Sequence, residues 1–556
     1  MIRLTGTEVA AAVGGRLVLP RGDGKAALHL EAEVSGPVVP DSRQVSAGCL
    51  FVAINGEHVD GHEYAAAAHA AGAALVLADR ALPGVPCVVV DDTVVALGRL
   101  AHAHLERLSG AGRGPVVVAI TGSSGKTSTK DLLAQVLATD APTVAPPGSY
   151  NTEVGVPLTV LRADESTRHL IVEMGARGRG HIAYLCGIAP PRIGIVLNVG
   201  LAHAGEFGAK EDTAAAKSEL VEAVPADGVA VLNADDVLVA SMAARSRAPA
   251  VTFGETGDVR ARDVHLDERG RATFTLVTPA GQAPVSLRLH GRHHIGNALA
   301  AAAAATCLGM DVTTVAAALS EATAVSRWRM EVHDRADGVT VVNDAYNANP
   351  DSVRVALEAL AAMSSGGTIG QATGRRSQVR GHDDQPQGQG PREESTEFSH
   401  QGGVPTKYSS ERSERRFRGV PRRRSWAVLG EMLELGSRSA EQHEAVGRRA
   451  VELGVDRVVA VGAGAEPIYQ GATAAAPGRA VASLYVQNAE AAIAVLEAEL
   501  RPDDVVLVKA SRGIGLERVA EALLDVHRAD DRPSGSPRGS RPWAGGDGAP
   551  GVGGAG

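Results

Sequence analysis

The run Thr121-Gly-Ser-Ser-Gly-Lys-Thr127 has the residue types of a phosphate-binding loop. It follows the apolar residues Val116–Ile120 and precedes a stretch with the pattern of a helix. In such a strand-to-helix turn, consecutive backbone N–H groups and the helix N-terminus face one anion. Lys126 would contact the β- and γ-phosphates of a nucleotide, and the Thr127 hydroxyl would hold Mg²⁺. An ordinary turn is the alternative, because Ile120 stands where the general pattern has glycine.

Three further side chains could complete a reactive centre around this loop. Glu173 ends the apolar run 170–172, where a magnesium ligand is needed, although a salt-bridged edge residue is the alternative. His203 follows the predicted strand 195–198, and a lone histidine is more often structural. Lys217 lies on a predicted helix between small residues; it is either an ordinary surface lysine or a half-buried, neutral and reactive amine.

A second polar cluster lies much later in the chain, next to a predicted strand. Asp344, Asn347 and Asn349 could form hydrogen bonds with a nucleotide or a peptide. The alternative is a helix N-terminus rich in asparagine, since Pro350 is typical of a first helical turn. Arg327, which precedes this cluster, is a candidate clamp for a phosphate group.

The elements that must position these residues alternate between strands and helices. Residues 259–290 alternate polar and apolar, which predicts a small antiparallel sheet. The rest of the surrounding region predicts a central, doubly wound, mostly parallel sheet that carries the phosphate-binding loop. Its predicted strands are 116–120, 169–174, 192–199 and 228–233, and its predicted helices are 126–138, 211–223, 235–245 and 293–308.

Two further α/β units flank the central one. We therefore expect an α/β fold with three domains, of which the C-terminal domain is Rossmann-like. The predicted boundaries are 1–110, 111–325 and 326–530. The C-terminal unit has predicted strands at 340–343, 426–429, 457–461, 481–485 and 505–509, and predicted helices at 441–453 and 490–500.

Two segments lack the apolar residues of a core. Residues 366–424 are rich in Gly, Gln, Ser, Arg and Glu, and residues 531–556 are rich in Gly, Pro and Ser. Such compositions cannot bury enough apolar area to offset the entropy of ordering the chain. We expect an insertion in the C-terminal domain and a disordered tail. The basic run 415–424 inside the insertion is interpreted as a solvated linker, with nucleic-acid or membrane contact as the alternative.

Composition and charge exclude several classes of protein. The 556 residues carry 55 Lys and Arg against 64 Asp and Glu, a net charge of −9, so the whole chain offers no basic surface for nucleic acid. The 4 cysteines lie far apart, which argues against a zinc site or a disulfide framework. The longest apolar run is too short to span a membrane, and the first residues lack the apolar segment of a signal peptide. We expect a cytoplasmic protein.

Taken together, these strings resemble the Mur ligases, the ATP-dependent amide-forming enzymes of bacterial cell-wall synthesis. The resemblance covers nearly the whole chain except the two low-complexity segments, and it is carried by Asp41-Ser-Arg43, 48–56, Asp60-Gly-His62, Thr121–Thr127, 151–159, 198–217, 346–352, 429–436 and Lys509-Ala-Ser-Arg512. The strings 346–352 and 429–436 are most similar to the member that adds D-alanyl-D-alanine to UDP-N-acetylmuramoyl-tripeptide.

The resemblance implies a role for each candidate residue. Ser42 and Arg43 would lie near the UDP end of the substrate, and Asn151 and Thr152 would also bind substrate. Lys217 would match the carbamylated lysine of the family, and Lys126, His203, Lys217 and Arg327 would be the catalytic residues. Mg²⁺ would be held by Thr127, Glu173, His203 and Lys217. ATP would be bound by Thr121, Gly122, Ser123, Ser124, Gly125, Lys126, Thr127, Asn297, Arg327, Asp344, Asn347 and Asn349.

Some positions depart from the family's pattern. Glu431 stands where Asp is usual, Ala510 where Gly is usual, and His294 and Gly296 interrupt a string normally written with Asn and an aromatic residue. The function implied is a monomeric ligase of peptidoglycan precursor synthesis that forms an acyl-phosphate intermediate. Another Mur-type amino-acid ligase and a catalytically inactive nucleotide-binding regulatory protein are the alternatives.

Overall fold

The computed structural model of the protein describes residues 3–20, 33–56, 59–110, 112, 114–200, 210–365, 422–476 and 482–530. In these residues the chain forms three large, mostly parallel sheets with helices packed on them, so the predicted α/β class is confirmed. None of the described helices is long and apolar enough to cross a membrane.

The N-terminal sheet has five strands, of which only the first edge strand is antiparallel. In spatial order they are Arg16–Val18, Cys87–Val89, Leu75–Ala78, Leu50–Val52 and Val38–Val39. The α-helices are Gly6–Val13, Ala65–Ala70 and Thr93–Gly110; the 3₁₀ turns are Ser42–Gln44 and Gly61–Tyr64; and Leu4–Thr5 pairs with Glu33–Val34. The Ala-rich helix Ala65–Ala70 ends before Gly72, whose positive φ of 116° belongs to a turn.

The central sheet has six strands, all parallel, and its predicted doubly wound arrangement is confirmed. Helices cover both of its faces, which is why its strands are continuous apolar runs. In spatial order the strands are Ala250–Phe253, Val229–Asn233, Ile193–Val196, Val116–Thr121, His169–Glu173 and Thr143–Val144. The α-helices are Lys126–Leu137, Gly155–Val160, His181–Ile188, Lys210–Ala223, Val237–Ser241, His294–Cys307 and Val312–Glu321, with a 3₁₀ turn at Met242–Arg245.

The predicted antiparallel sheet is also confirmed. Its strands are Arg260–Leu266, Arg271–Thr278 and Gly281–His290. Along the third strand buried and exposed residues alternate, and the buried face packs with helix Val312–Glu321.

The C-terminal sheet has six strands, with one antiparallel edge strand. In spatial order they are Glu331–Asp334, Thr340–Asn343, Val505–Lys509, Ser425–Gly430, Arg457–Val461 and Ala482–Val486. The last strand in the chain therefore lies between two earlier ones, and ligands bind at such switch points, outside the carboxyl ends of the strands. The α-helices are Pro350–Ser364, Ser439–Glu452, Glu466–Ala474, Ala489–Glu499 and Glu517–Asp530, and 3₁₀ turns lie at Gly436–Arg438, Ala463–Ala465 and Arg512–Ile514.

The two ends of the predicted insertion meet on this domain. Arg423 N donates a hydrogen bond to Ser364 O at 2.8 Å. Arg422 pairs with Asp456 at 2.9 Å and Arg424 with Asp504 at 2.6 Å. Arg422 and Arg424 are therefore attached to the domain by acidic side chains, and Arg423 by backbone carbonyls such as Asp503 O and Gly338 O. The last three residues of the predicted segment 366–424 are not part of a free linker. Residues 366–421 and the predicted tail 531–556 lie outside the described residues.

Candidate active site

The phosphate-binding loop follows strand Val116–Thr121 and has a backbone that requires glycine at two positions. Gly122 and Gly125 have φ values of 156° and 82°. A Cβ atom on Gly122 would lie 2.9 Å from Leu197 Cβ, and one on Gly125 would lie 2.7 Å from Asn297 Oδ1. Both glycines are therefore needed for backbone conformation and for close packing.

Asn198, just after the neighbouring strand Ile193–Val196, holds the loop in place. Ser124 N donates to Asn198 Oδ1 at 2.9 Å, and Asn198 Nδ2 donates to Ser124 O at 3.2 Å. Ser123 N donates to the main-chain oxygen of Asn198 at 3.1 Å. Sequence reasoning missed this residue as part of the site; the only signal was its place at a strand end beside the loop.

The end of the loop leaves its donors unpaired. Helix Lys126–Leu137 begins at Gly125 with no side-chain cap, and within the described residues no hydrogen bond is made by the backbone N–H groups of residues 125–128. Lys126 Nζ donates to Gly122 O at 2.7 Å. Burial lowers the pKa of Lys126, the charge of Glu173 raises it, and that of Arg329 lowers it again. The backbone N–H groups of residues 125–128 and the Lys126 ammonium can together bind a polyphosphate.

Glu173 lies beside the loop, because strand His169–Glu173 pairs with Val116–Thr121 in parallel register. Its side chain is buried, and it accepts hydrogen bonds from Thr127 Oγ1 and from Asn151 Nδ2, both at 2.9 Å. A hydroxyl and a carboxylate oxygen are hard ligands suited to Mg²⁺, which usually takes one or two carboxylates and completes its shell with phosphate and water. The described residues contain no group of three or more His, Cys, Asp and Glu that could hold a metal alone. The donor set therefore fits a magnesium ion shared with a nucleotide.

Lys217 is buried and is not the surface lysine of the alternative interpretation. It lies on helix Lys210–Ala223 with 3% of its surface exposed. Burial, followed by the positive charge of Lys126, lowers the pKa of Lys217 to about 7. A large fraction of this amine is therefore neutral near neutral pH. His203 lies outside the described residues.

Asn297 packs directly behind the loop. It lies on helix His294–Cys307, is 8% exposed, and accepts a hydrogen bond from Thr129 Oγ1 at 3.3 Å. Its Nδ2 donates to His294 Nδ1 at 3.4 Å. Burial holds the pKa of His294 well below its usual range, so the ring is neutral and can accept. The histidine that departs from the family's pattern thus orients the predicted nucleotide contact.

Arg327 and Arg329 have different surroundings. The side chain of Arg327 is 63% exposed and lies 3.8 Å from Glu521 on the last described helix. Arg329 is partly buried, and its Nη2 donates to Ser149 Oγ of the central domain at 3.3 Å. Arg329 Nε is buried and has no hydrogen-bond partner among the described residues. Arg327 stays a predicted phosphate clamp. Arg329 is the arginine whose charge acts on Lys126 of the phosphate-binding loop, and no local sequence pattern distinguishes it from Arg327.

Most polar groups of the C-terminal cluster have internal partners. Asp344 lies 2.6 Å from Lys509 Nζ and accepts from Met330 N at 3.1 Å. Asn349 caps helix Pro350–Ser364, with Oδ1 accepting from the N–H of Ser352 at 2.8 Å. Asn347 is exposed, and its Oδ1 accepts from the next backbone N–H at 2.9 Å. The helix-cap interpretation thus applies to Asn349, while its Nδ2 makes no hydrogen bond within the described residues.

A cavity of about 520 Å³ lies between the N-terminal and central domains. It is lined by residues 35–41 and Gln44 on one side and by residues such as Tyr150 and Arg162 on the other. Ser42 and Arg43 lie between two lining residues but do not line it; Arg43 pairs with Asp41 at 2.7 Å. Thr152 lies two residues after Tyr150, and its hydroxyl accepts a hydrogen bond from Gly155 N at 3.3 Å.

Three parts of the chain match families of known proteins. Residues 120–305 match the Mur ligase middle domain, and residues 38–104 match the Mur ligase family catalytic domain. Residues 328–381 and 410–512 match the Mur ligase glutamate ligase domain. The break in this last match falls inside the predicted insertion.

Relatives cover nearly the whole chain. The chain is 44% identical to the UDP-N-acetylmuramoyl-tripeptide–D-alanyl-D-alanine ligase of Mycobacterium tuberculosis strain H37Rv, over 96% of this chain and 99% of that one. A crystal structure of MurF from Acinetobacter baumannii is similar with a TM-score of 0.73 and 27% identity, over 94% of this chain and 99% of that chain. MurF ligase from Thermotoga maritima in complex with ADP is similar with a TM-score of 0.68 and 27% identity, over 89% and 99%.

Proposed function

The chain belongs to the Mur ligase family, and from that premise we propose that it joins D-alanyl-D-alanine to UDP-N-acetylmuramoyl-tripeptide at the expense of ATP. The observation that carries the proposal is the phosphate-binding loop, with Lys126 and with amide groups that are unpaired within the described residues, in a chain that matches a ligase of that name over 96% of its own length. The product is a precursor of peptidoglycan.

A carboxylate does not react with an amine, because the leaving group would be oxide. Transfer of the γ-phosphoryl group of ATP to the carboxylate of the tripeptide gives an acyl phosphate and ADP. The amine of D-alanyl-D-alanine then attacks the acyl carbon, phosphate leaves, and the amine loses a proton. Three substrates must meet in line for this, so positioning supplies much of the rate enhancement.

The central domain would bind the phosphates of ATP through Thr121–Thr127. Lys126 Nζ donates a hydrogen bond to the Gly122 carbonyl of the loop. Rotation of the lysine side chain would bring Nζ to a bound phosphate. Asn297 behind the loop and Asp344 and Asn347 of the C-terminal domain are the proposed contacts for the rest of the nucleotide. Arg329 joins them as the proposed cation at the transferred phosphoryl group, since it faces the central domain and its Nε has no partner.

Thr127 and Glu173 are the proposed protein ligands of Mg²⁺. When bound, the ion would offset the negative charge that builds up on the transferred phosphoryl group. Lys217, buried near Lys126, is the proposed carbamylation site: its neutral amine would add CO₂, release one proton and become a carboxylate. That carboxylate would supply further oxygen ligands, and His203 stays a predicted ligand.

The cavity between the N-terminal and central domains is the proposed site for the UDP end of the substrate. Ser42 and Arg43 adjoin its lining residues in the chain, and the lining residue Tyr150 is followed by Asn151, which contacts Glu173. Asn151 and Thr152 would then lie where the substrate passes from the cavity to the phosphate-binding loop. A cytoplasmic location and a monomeric state stay predictions.

Incubation of the purified full-length chain with ATP, Mg²⁺, UDP-N-acetylmuramoyl-tripeptide and D-alanyl-D-alanine tests the proposal. Mass spectrometry is expected to detect the UDP-linked pentapeptide, with ADP and phosphate released in equal amounts. Product with a single amino acid in place of the dipeptide would indicate another Mur-type ligase. Binding of ATP without product from any of these acceptors would indicate an inactive nucleotide-binding protein.

A further inference from the structure

The segment that enters the C-terminal domain has a strained backbone around Arg329. Trp328 and Met330 have φ values of 58° and 51°. Left-handed backbone is costly for side chains of this size and persists only where the surroundings hold it. Arg329 between them lies 4.1 Å above the Tyr346 ring and donates to Ser149 Oγ at 3.3 Å. The direction of Arg329 therefore depends on whatever maintains the two strained neighbours.

The strained backbone is held by the turn after strand Thr340–Asn343. Tyr346 N donates to Trp328 O at 3.1 Å, and Met330 N donates to Asp344 Oδ1 at 3.1 Å. The same turn supplies the aromatic ring under Arg329. A shift of this turn would change both backbone hydrogen bonds and the aromatic contact together, and with them the position of Arg329.

Lys509 fixes this turn to the central strand of the sheet. It ends strand Val505–Lys509 and is 2% exposed. Its Nζ lies 2.6 Å from Asp344 Oδ2 and donates to Asn347 O at 2.9 Å. Because one ammonium group binds both ends of the turn, its removal would free the turn and leave the Asp344 carboxylate without its countercharge.

We propose that Lys509 is a positioning residue that aims Arg329 at the phosphate-binding loop through Asp344 and the strained backbone of residues 328–330. The inference rests on the ligase function proposed above, because Arg329 has a task only if a phosphoryl group is transferred. Lys509 itself touches neither the loop nor Arg329 and acts only through the turn.

Steady-state kinetics of Lys509→Met tests this. We expect kcat to fall about 10- to 100-fold, the size expected when a reacting group is misplaced, while KM for the UDP-linked substrate stays within about twofold. Because Lys509 acts through Arg329, the double variant Lys509→Met/Arg329→Ala is expected to be no slower than Arg329→Ala alone. Losses of kcat that multiply in the double variant would overturn the proposal.

The same strand provides a matched control at its other end. Asp504, just before the strand, is buried and pairs with Arg424 at 2.6 Å. Arg424→Met also breaks a buried ion pair of this sheet, and we expect a similar loss of thermal stability but kcat within about twofold of wild type. If both variants lose kcat equally, Lys509 is merely structural and the proposal fails.

A variant that keeps the charge covers the case in which Lys509→Met does not fold. Lys509→Arg retains a cation beside Asp344 but cannot place one nitrogen between Asp344 and Asn347, so kcat is expected to fall about three- to tenfold, and only where Arg329 is present. Wild-type kcat in folded Lys509→Arg would overturn the proposal. An inactive wild-type chain would refute the ligase function. Failure of the positioning role is different, because it appears only in the kcat of the variants relative to an active wild type.

Discussion

The phosphate-binding loop and the turn at Asp344–Asn349 both follow parallel strands and both lead into helices, but they use their polar groups in opposite ways. Helix Lys126–Leu137 begins at Gly125 without a side-chain cap. Helix Pro350–Ser364 begins with a complete capping box made by Asn349 and Ser352. The first turn leaves its backbone donors available to a ligand, and the second is already satisfied from within.

The two lysines of these regions differ in the same way. Lys126 donates to a backbone carbonyl of its own loop, a neutral partner that a phosphate can replace. Lys509 pairs with the Asp344 carboxylate and also donates to Asn347 O, so its charge is already offset from within the domain. The loop is thus built to accept phosphate groups, whereas Lys509 holds the C-terminal turn in position. Variants of the two regions test this distinction.

The largest effect is expected at Lys126. Lys126→Ala removes the cation of the loop, and we expect turnover to fall at least about 10³-fold because charge on the transferred phosphoryl group is no longer offset. Within the described residues the Lys126 side chain makes one hydrogen bond, to Gly122 O, so the circular dichroism spectrum and the melting temperature should stay close to wild type. Near-wild-type turnover would show that the loop does not act on phosphate.

The next effect separates two neighbouring arginines. Arg329→Ala is expected to lower kcat about 10²-fold, since its guanidinium contacts the central domain at Ser149 and its charge acts on Lys126 of the loop. Arg327, the clamp predicted from the sequence, makes an exposed ion pair with Glu521 and lies over the Trp328 ring. If Arg329 is the clamp instead, Arg327→Ala keeps kcat within about twofold of wild type. The reverse order, measured in the same coupled assay of ADP release, would restore Arg327 as the phosphate clamp.

Lys217→Ala should be slower than wild type but open to chemical rescue. We expect about a 10- to 100-fold loss of kcat, partly recovered on addition of formate or acetate, because a small carboxylate can occupy the space of the missing carbamate. Lys126→Ala is the control, since a carboxylate cannot replace a cation. Full activity of Lys217→Ala without rescue would leave this buried lysine merely structural.

The smallest effect concerns Asn349, where the two regions could overlap in function. Asn349→Ala removes the cap and should lower the free energy of unfolding by about 1 kcal/mol, measured by urea denaturation, whereas Asn349→Ser keeps a capping oxygen and most of the stability. If the free Nδ2 also contacts the nucleotide, KM for ATP should rise about two- to tenfold in both variants. An unchanged KM in Asn349→Ser would assign this residue to the helix cap alone.

Much of the fold could be predicted because its signals are local. The strand Arg457–Val461 and the strand Val505–Lys509 lie where the apolar runs place them. Runs of this kind are typical of parallel strands buried on both faces. Helix bounds were less accurate: the predicted helix 235–245 is an α-helix at Val237–Ser241 followed by a 3₁₀ turn, since Asp236 caps the helix.

The candidate site was predictable where chemistry and local sequence coincide. The loop Thr121–Thr127 and the acidic end of strand His169–Glu173 carry recognisable residue types next to apolar runs. Arg329, Asn198 and Lys509 were not predictable as site residues, because each matters only through partners far away in the chain. Burial of Lys217 likewise could not be decided from a helix of small residues, since either face could point inward.

By itself, the amino-acid sequence determined the order of strands and helices, the phosphate-binding loop and the glycines that its backbone needs, because backbone preference and apolar periodicity act over a few neighbouring residues. Only the tertiary structure decided which arginine faces the loop and which lysines are buried. Those outcomes depend on pairs such as Lys509 with Asp344, 165 residues apart, whose meeting is set by the packing of strands. Such pairs bring together charges that are far apart in the chain, so a local sequence pattern cannot predict them.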